Sequence, residues 1–148
     1  MKKIIVILLL CSTALFARKI VVKMGTLAPE GTDWHGMLIE MGQQWKSATK
    51  GKVQLRIYPG GVLGDERDMV RKMRIGQIQA AGMTAEGLTE IVTDFSCYFV
   101  PLVYQDSDDV NKVTEALLPG LEKQLEENGF KLLYLSDLTY AYWFSTSP

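Results

Sequence analysis

Hydrophobic and polar positions change period several times along the chain, and each change marks an element. Residues 4–16 are a largely apolar run behind Lys2 and Lys3. Residues 19–25, KIVVKMG, read as a strand, followed by a loop through Pro29 and Gly31. Over residues 33–49 the apolar side chains return at helical spacing, with Trp34, Leu38, Met41 and Trp45 as the inner face and Gly51 ending the helix. In KVQLRIY, Val53, Leu55 and Ile57 alternate with polar neighbours, the period of a strand. Met69, Val70 and Met73 restore the helical period; a short strand in IQAAGM and a short helix over residues 85–92 follow. The apolar segment FSCYFVPLVY precedes two helical pieces, one from Ser107 and one from Pro119, because Pro119 and Gly120 break the pattern and proline suits the first residue of a new helix. FKLLYLSDL, residues 130–138, reads as the last strand, before the aromatic-rich TYAYWFSTSP. Strands alternating with helices predict an α/β fold with a mostly parallel sheet flanked by helices.

Residues 58–80, YPGGVLGDERDMVRKMRIGQIQA, place Gly60, Gly61 and Gly64 directly before a dense charge cluster. A phosphate loop needs G-x-x-x-x-G-K-[ST], and a dinucleotide loop needs G-x-G-x-x-G; neither is present. Asp65 and Glu66 stand where an incoming phosphate would require positive charge or bare amides. The charges read instead as helix termini. Asp65 caps the first turn, Asp65, Glu66 and Asp68 sit at the positive end of the dipole, and Arg71, Lys72 and Arg74 sit at the other end. Gly76 closes the helix.

The amino-terminal pattern bears on compartment. Lys2, Lys3, the apolar run and Ala17 ahead of Arg18 form a secretory signal peptide, with cleavage expected after Ala17. A membrane span needs roughly 20 apolar residues, more than this run supplies. Cys11 follows LLL rather than the small residues of a lipoprotein signal, and it leaves with the signal. Cys97 then stands alone in apolar surroundings, so no disulfide framework, redox pair or zinc cluster can form, and packing is its expected role. Losing Lys2 and Lys3 leaves 14 basic against 17 acidic side chains, a net charge of about −3 that gives no reason to expect nucleic acid or a membrane surface as partner. The remaining length suits one domain of ordinary size.

In open parallel sheets ligands sit beyond the carboxyl ends of the strands. Those ends are Thr26 and Leu27, residues 83–86, and residues 136–138. They hold hydroxyls, one carboxylate and amides at helix starts, the inventory of a small-molecule pocket. Thr26, Trp34, Thr84 and Glu86 are the candidate contacts, each with a structural alternative as cap, dipole partner or core. Reactive constellations are absent. His35, the sole histidine, lies in a first helical turn where an imidazolium is disfavoured. No serine sits in G-x-S-x-G, and H-E-x-x-H is missing. No enzyme, metal site or cofactor is expected.

The segments MGTLAPEGTDWH, GKVQLRIYPGGVLGDERDMVRKMRIGQIQAA, FVPLVYQDSDDV and GFKLLYLSDLTYAYWFSTSP, behind a signal peptide, resemble the amino-terminal half of a DctP-family solute receptor. These are the extracytoplasmic binding proteins of tripartite ATP-independent periplasmic (TRAP) transporters. The resemblance implies a periplasmic-binding-protein-like lobe, part of a two-lobed clamshell, that captures a small organic solute, often an organic acid, and delivers it to a membrane permease. It implies residues 1–17 as signal, 18–138 as the first lobe and 139–148 as a hinge strand ending before a second lobe, so that the chain is a fragment. Residues 58–80 become scaffold of the first lobe and part of the surface facing the permease. Carboxylate-binding members commonly use an arginine from the segment returning into the hinge; here that stretch carries Tyr142 instead, with Tyr140, Trp143 and Phe144 beside it. Tyr142 therefore joins the candidate contacts, and a solute with an apolar or ring-bearing part, or one whose acid is held by the other lobe, is expected. The alternative is a periplasmic sensor or interaction domain that docks a membrane partner without transport.

Overall fold

The structure, a computed structural model, describes residues 19–136 and Thr146. They divide into two compact units, meeting in sequence between Glu90 and Ile91.

The first unit is built on three parallel strands, β1 (Ile20–Thr26), β2 (Val53–Tyr58) and β3 (Ala80–Gly82), in the order β2-β1-β3. Ile20 is in register with Val53, and Met24 with Ala80. Helix α1 (Asp33–Ala48) links β1 to β2, and α2 (Glu66–Arg74) links β2 to β3. A parallel pair cannot be joined by a tight turn, so each crossover is helical. Thr32 caps α1, its Oγ1 accepting from the His35 N–H at 3.3 Å. The expected inner face of α1 is rotated: His35 and Leu38 are buried, whereas Trp34, Met41 and Trp45 are half-buried. Gly42 sets that rotation, for a Cβ there would stand 3.2 Å from the Leu55 Cβ, and the missing side chain lets the helix lie close on β2. Met24, Leu38, Met69, Val70 and Ile78 complete the core of the unit. The short helix α3 (Ala85–Leu88) stops before the expected residue 92, its C-cap Thr89 giving its hydroxyl to the Glu86 carbonyl.

In the second unit a 3-10 helix (Thr93–Phe99) packs on α4 (Ser107–Glu127), with Val92, Phe95, Leu121 and Leu125 buried. The Phe95 and Tyr98 rings stack at 6.1 Å, and Gln124 Nε2 donates to Asp94 at 3.0 Å. Two expectations fail here. The pieces expected to begin at Ser107 and Pro119 are one continuous helix with Pro119 inside it. Pro119 is exposed and the half-buried and buried stripe of Val110, Val113, Leu118, Leu121 and Leu125 runs past it on both sides. Packing on that face outweighs the roughly 3 kcal/mol that an interior proline costs. The strand expected over residues 130–138 is not formed in its described part: residues 131–136 belong to no ladder, and Leu133, Tyr134 and Leu135 are exposed. An apolar run states that a segment can pair; a strand exists only where a neighbour takes its backbone groups.

Candidate functional site

β1 and β3 end side by side, and their exits form the candidate site. Thr26 closes β1 with its side chain buried, and its Oγ1 accepts from the Ala28 N–H at 3.2 Å. Gly82 closes β3 against it; a Cβ there would meet Thr26 Oγ1 and Met24 Cε at 3.3 Å. The glycine loop after β2 folds back onto this exit. Gly61 N–H donates to the Thr26 carbonyl at 3.0 Å and Gly60 N–H to the Ala28 carbonyl at 2.8 Å. Gly61 is indispensable to that latch, having φ +70° and standing where a Cβ would press on Leu27 at 3.3 Å. The loop amides are thereby spent on the protein's own carbonyls, and no phosphate cradle is left.

A second latch closes the β3 side. The Glu66 carboxylate, in the first residue of α2, accepts from the Thr84 N–H at 2.5 Å and from the Thr84 hydroxyl at 2.8 Å. Thr84 Oγ1 also accepts from the Gly87 N–H at 3.1 Å, capping α3. Gly87 leaves room for this, since a Cβ would lie 2.5 Å from the Glu66 Oε2. Glu66 was legible in the sequence only as a dipole partner of its own helix; no local signal names Thr84, 18 positions on, as the donor to its carboxylate. Asp65 caps α2 as expected, accepting from the Asp68 N–H at 2.8 Å.

The structure thus brings Thr26 and Thr84 to neighbouring strand exits. Glu86 is exposed in the first turn of α3, and Trp34 is half-buried in the first turn of α1. Tyr142, with Tyr140, Trp143 and Phe144, lies outside the described residues. His35 is buried with Nδ1 accepting from the Gly31 N–H at 3.2 Å, which ties the loop before α1 to the helix. Among the described residues no cluster of His, Cys, Asp and Glu could hold a metal ion.

The sequence model of the DctP family, described as bacterial extracellular solute-binding protein, family 7, matches residues 24–147. The chain belongs to this family. A solute-binding protein of Roseobacter denitrificans is 27% identical over 115 residues, which are 78% of this chain and 35% of that protein. A TRAP periplasmic solute-binding protein of Haemophilus influenzae, solved with bound L-gulonate, is 26% identical with a TM-score of 0.68 over 78% of this chain and 38% of its own. One from Citrobacter koseri, solved with bound D-glucuronate, is 28% identical with a TM-score of 0.64 over 73% of this chain and 36% of its own. The chain therefore spans little more than a third of the length of the family 7 proteins it matches. Those relatives are two-lobed transport receptors and not enzymes, and the parallel α/β lobe described above is the part of their fold that this chain shares. Among the described residues of this family 7 chain no helix is long and apolar enough to cross a membrane.

The second unit holds the one free cysteine among the described residues, Cys97. Burial pushes the Cys97 thiol up, the Asp94 carboxylate pushes it further, and a backbone hydrogen bond only partly opposes them. A thiol kept protonated is a poor nucleophile, in keeping with packing as its role. The Tyr104 hydroxyl donates to the Cys97 carbonyl, and burial raises the Tyr104 phenol as well, followed by the effects of Cys97 and Tyr98.

Proposed function

We propose that the chain is the solute-contacting first lobe of an extracytoplasmic receptor that captures a small organic acid and passes it to a TRAP permease. The family match over residues 24–147 carries this reading. Relatives solved with L-gulonate and D-glucuronate support polyhydroxylated acids as the solute class. In this reading Thr26, Trp34, Thr84, Glu86 and Tyr142 meet the solute. Thr84 Oγ1 gives its proton to Glu66 and takes one from Gly87, so a second lone pair is left to accept from a solute hydroxyl. Glu86, an exposed carboxylate, suits a hydroxyl rather than the acid group. The acid falls to the other lobe, and the aromatic group around Tyr142 covers the apolar face of the solute. Export to the periplasm by cleavage after Ala17, and contact of residues 58–80 with the permease, belong to the same proposal.

Titration of the isotope-labelled full chain with D-glucuronate, followed by amide NMR shifts, tests the site, because weak binding to one lobe is still visible in this way. Shifts clustered at Thr26, Trp34, Thr84 and Glu86, lost in Thr84→Val, are expected. Shifts confined to other residues, or none at millimolar solute, would overturn the assignment.

A further inference from the structure

Among the described residues β2 is an edge strand, since the order β2-β1-β3 leaves one of its sides without a neighbour. The register Ile20↔Val53 and the bond from Ile20 N–H to the Lys52 carbonyl at 2.8 Å fix the direction of each peptide. In a parallel ladder alternate residues face the partner, so Gln54 and Arg56 turn their backbone groups to β1 while Val53, Leu55 and Ile57 turn theirs outward. Thr49 Oγ1 takes the Val53 N–H at 3.0 Å. The amides of Leu55 and Ile57 have no hydrogen-bond partner among the described residues.

A groove of about 380 Å³ runs along this side, and its lining shows that it follows the bare edge. Consecutive residues 54–57 of β2 form one wall; Ile39, Gly42 and Lys46 of α1 stand on the other. Consecutive residues point to opposite faces of a sheet, so a groove that touches all four must lie against the backbone between them. The volume falls in the range of small-ligand and peptide sites, and a helix flanking an open strand edge is a geometry in which an extended peptide adds to a sheet. The groove is cationic. Lys46 and Arg56 line it and no carboxylate does. Lys23 stands in register with Arg56 on the neighbouring strand, and the Arg56 guanidinium is held over the Tyr58 ring at 5.9 Å.

We propose that this edge receives an extended acidic peptide segment as a fourth strand, its backbone on Leu55 and Ile57 and its carboxylates on Arg56 and Lys46. Side chains of the added strand alternate between the two faces. Those on the Gln54 and Arg56 face are acidic; those on the α1 face are small above Gly42, where the helix lies close on Leu55, and acidic towards Lys46. A second copy of β2 is a poorer occupant, because it would bring its own Arg56 and Lys46 to a groove that is already positive. The site is separate from the strand exits assigned to the solute, and so the proposal stands or falls independently of that assignment.

The probe is a blocked heptapeptide with Glu at its odd positions, for the Arg56 face, and Ala, Ala and Glu at its even positions, for the Gly42 and Lys46 face, titrated into the labelled full chain at low salt. Shifts and slowed hydrogen exchange at the Leu55 and Ile57 amides are expected. Arg56→Glu and Lys46→Glu are each expected to weaken binding by about tenfold. Both side chains are exposed, so neither variant removes core packing. Two further probes, N-methylated at the odd or at the even residues, separate strand addition from plain charge attraction: one of them must lose binding. Undiminished binding of both, equal binding of the same peptide with Lys in place of each Glu, or no binding would overturn the proposal. So would peptide-independent dimerisation that protects the same two amides, which would give the edge to a second copy.

Discussion

α2 and α4 obey the same rules at their starts and part company afterwards. Asp65 and Asp106 each cap a helix by accepting from the amide three residues on, at 2.8 and 3.0 Å. Both first turns are acidic. In α2 every later position agrees with the start: Arg71, Lys72 and Arg74 answer the dipole, Met69 and Val70 fill the core, and Gly76 follows with φ +70°. α4 has no basic residue in its last turn and carries a proline in its middle, yet it is the longer helix at 21 residues. Local chemistry is sufficient for the first; the second persists through its buried stripe. Where local and tertiary preferences agree, the element is readable and tolerant only of its own rules; where they conflict, the packed face decides.

The sharpest way to break the α2 side of this contrast is Gly64→Ala. Gly64 has φ +95°, and a Cβ would stand 2.4 Å from Asp68 Oδ2 and 2.7 Å from its Cβ, so the Asp68 side chain cannot swing clear. Left-handed strain and clash together are expected to cost about 2–4 kcal/mol, seen as a lower melting temperature of the first unit. A change within about 0.5 kcal/mol would mean that the loop has room the geometry denies.

Pro119→Ala tests the α4 side with the opposite sign. In a continuous helix it restores a backbone N–H that donates a hydrogen bond to the Glu115 carbonyl and relieves a ring clash, a gain of about 1–3 kcal/mol that is reduced by the greater freedom of the unfolded chain. Were Pro119 the first residue of a separate helix, the same substitution would be neutral or destabilising. Chemical unfolding followed by circular dichroism distinguishes the two.

The smallest effect concerns pH. The Cys97 thiol is raised from its ordinary 9.0, so the folded state holds this proton more tightly than the unfolded chain does. Its contribution to stability is present below pH 9.0 and is lost as pH climbs through the folded value. In a Cys11→Ser background, iodoacetamide should alkylate Cys97 more slowly at pH 8 than it does an unfolded peptide of the same sequence; a faster reaction would show an activated thiolate.

Legibility followed the same division. β1, α1, β2, α2 and β3, the Asp65 and Gly76 termini and the refusal of a phosphate at Gly60, Gly61 and Gly64 were all present in neighbouring residues. The rotated face of α1 was not, because Gly42 acts through a contact with Leu55 on another element. Thr84 was legible as a cap and not as the ligand of Glu66, since side chains 18 positions apart meet only after β3 has docked. The strand expected at residues 130–138 fails for the related reason that pairing is a property of two segments. Of the candidate solute contacts, the sequence located the strand exits, which lie together in β1 and β3, while Tyr142 falls on residues outside those described.

The strand order also sets a timetable. β1 emerges first yet occupies the middle of the sheet, and both of its neighbours are made later, β2 after α1 and β3 after α2. No hairpin can zip early, and the first pairing must await closure of the entire first crossover, the second that of the next. Such a chain is slow to commit to structure while it is being delivered from its amino terminus. That delay leaves the leading segment unfolded and threadable until most of the first unit has been made.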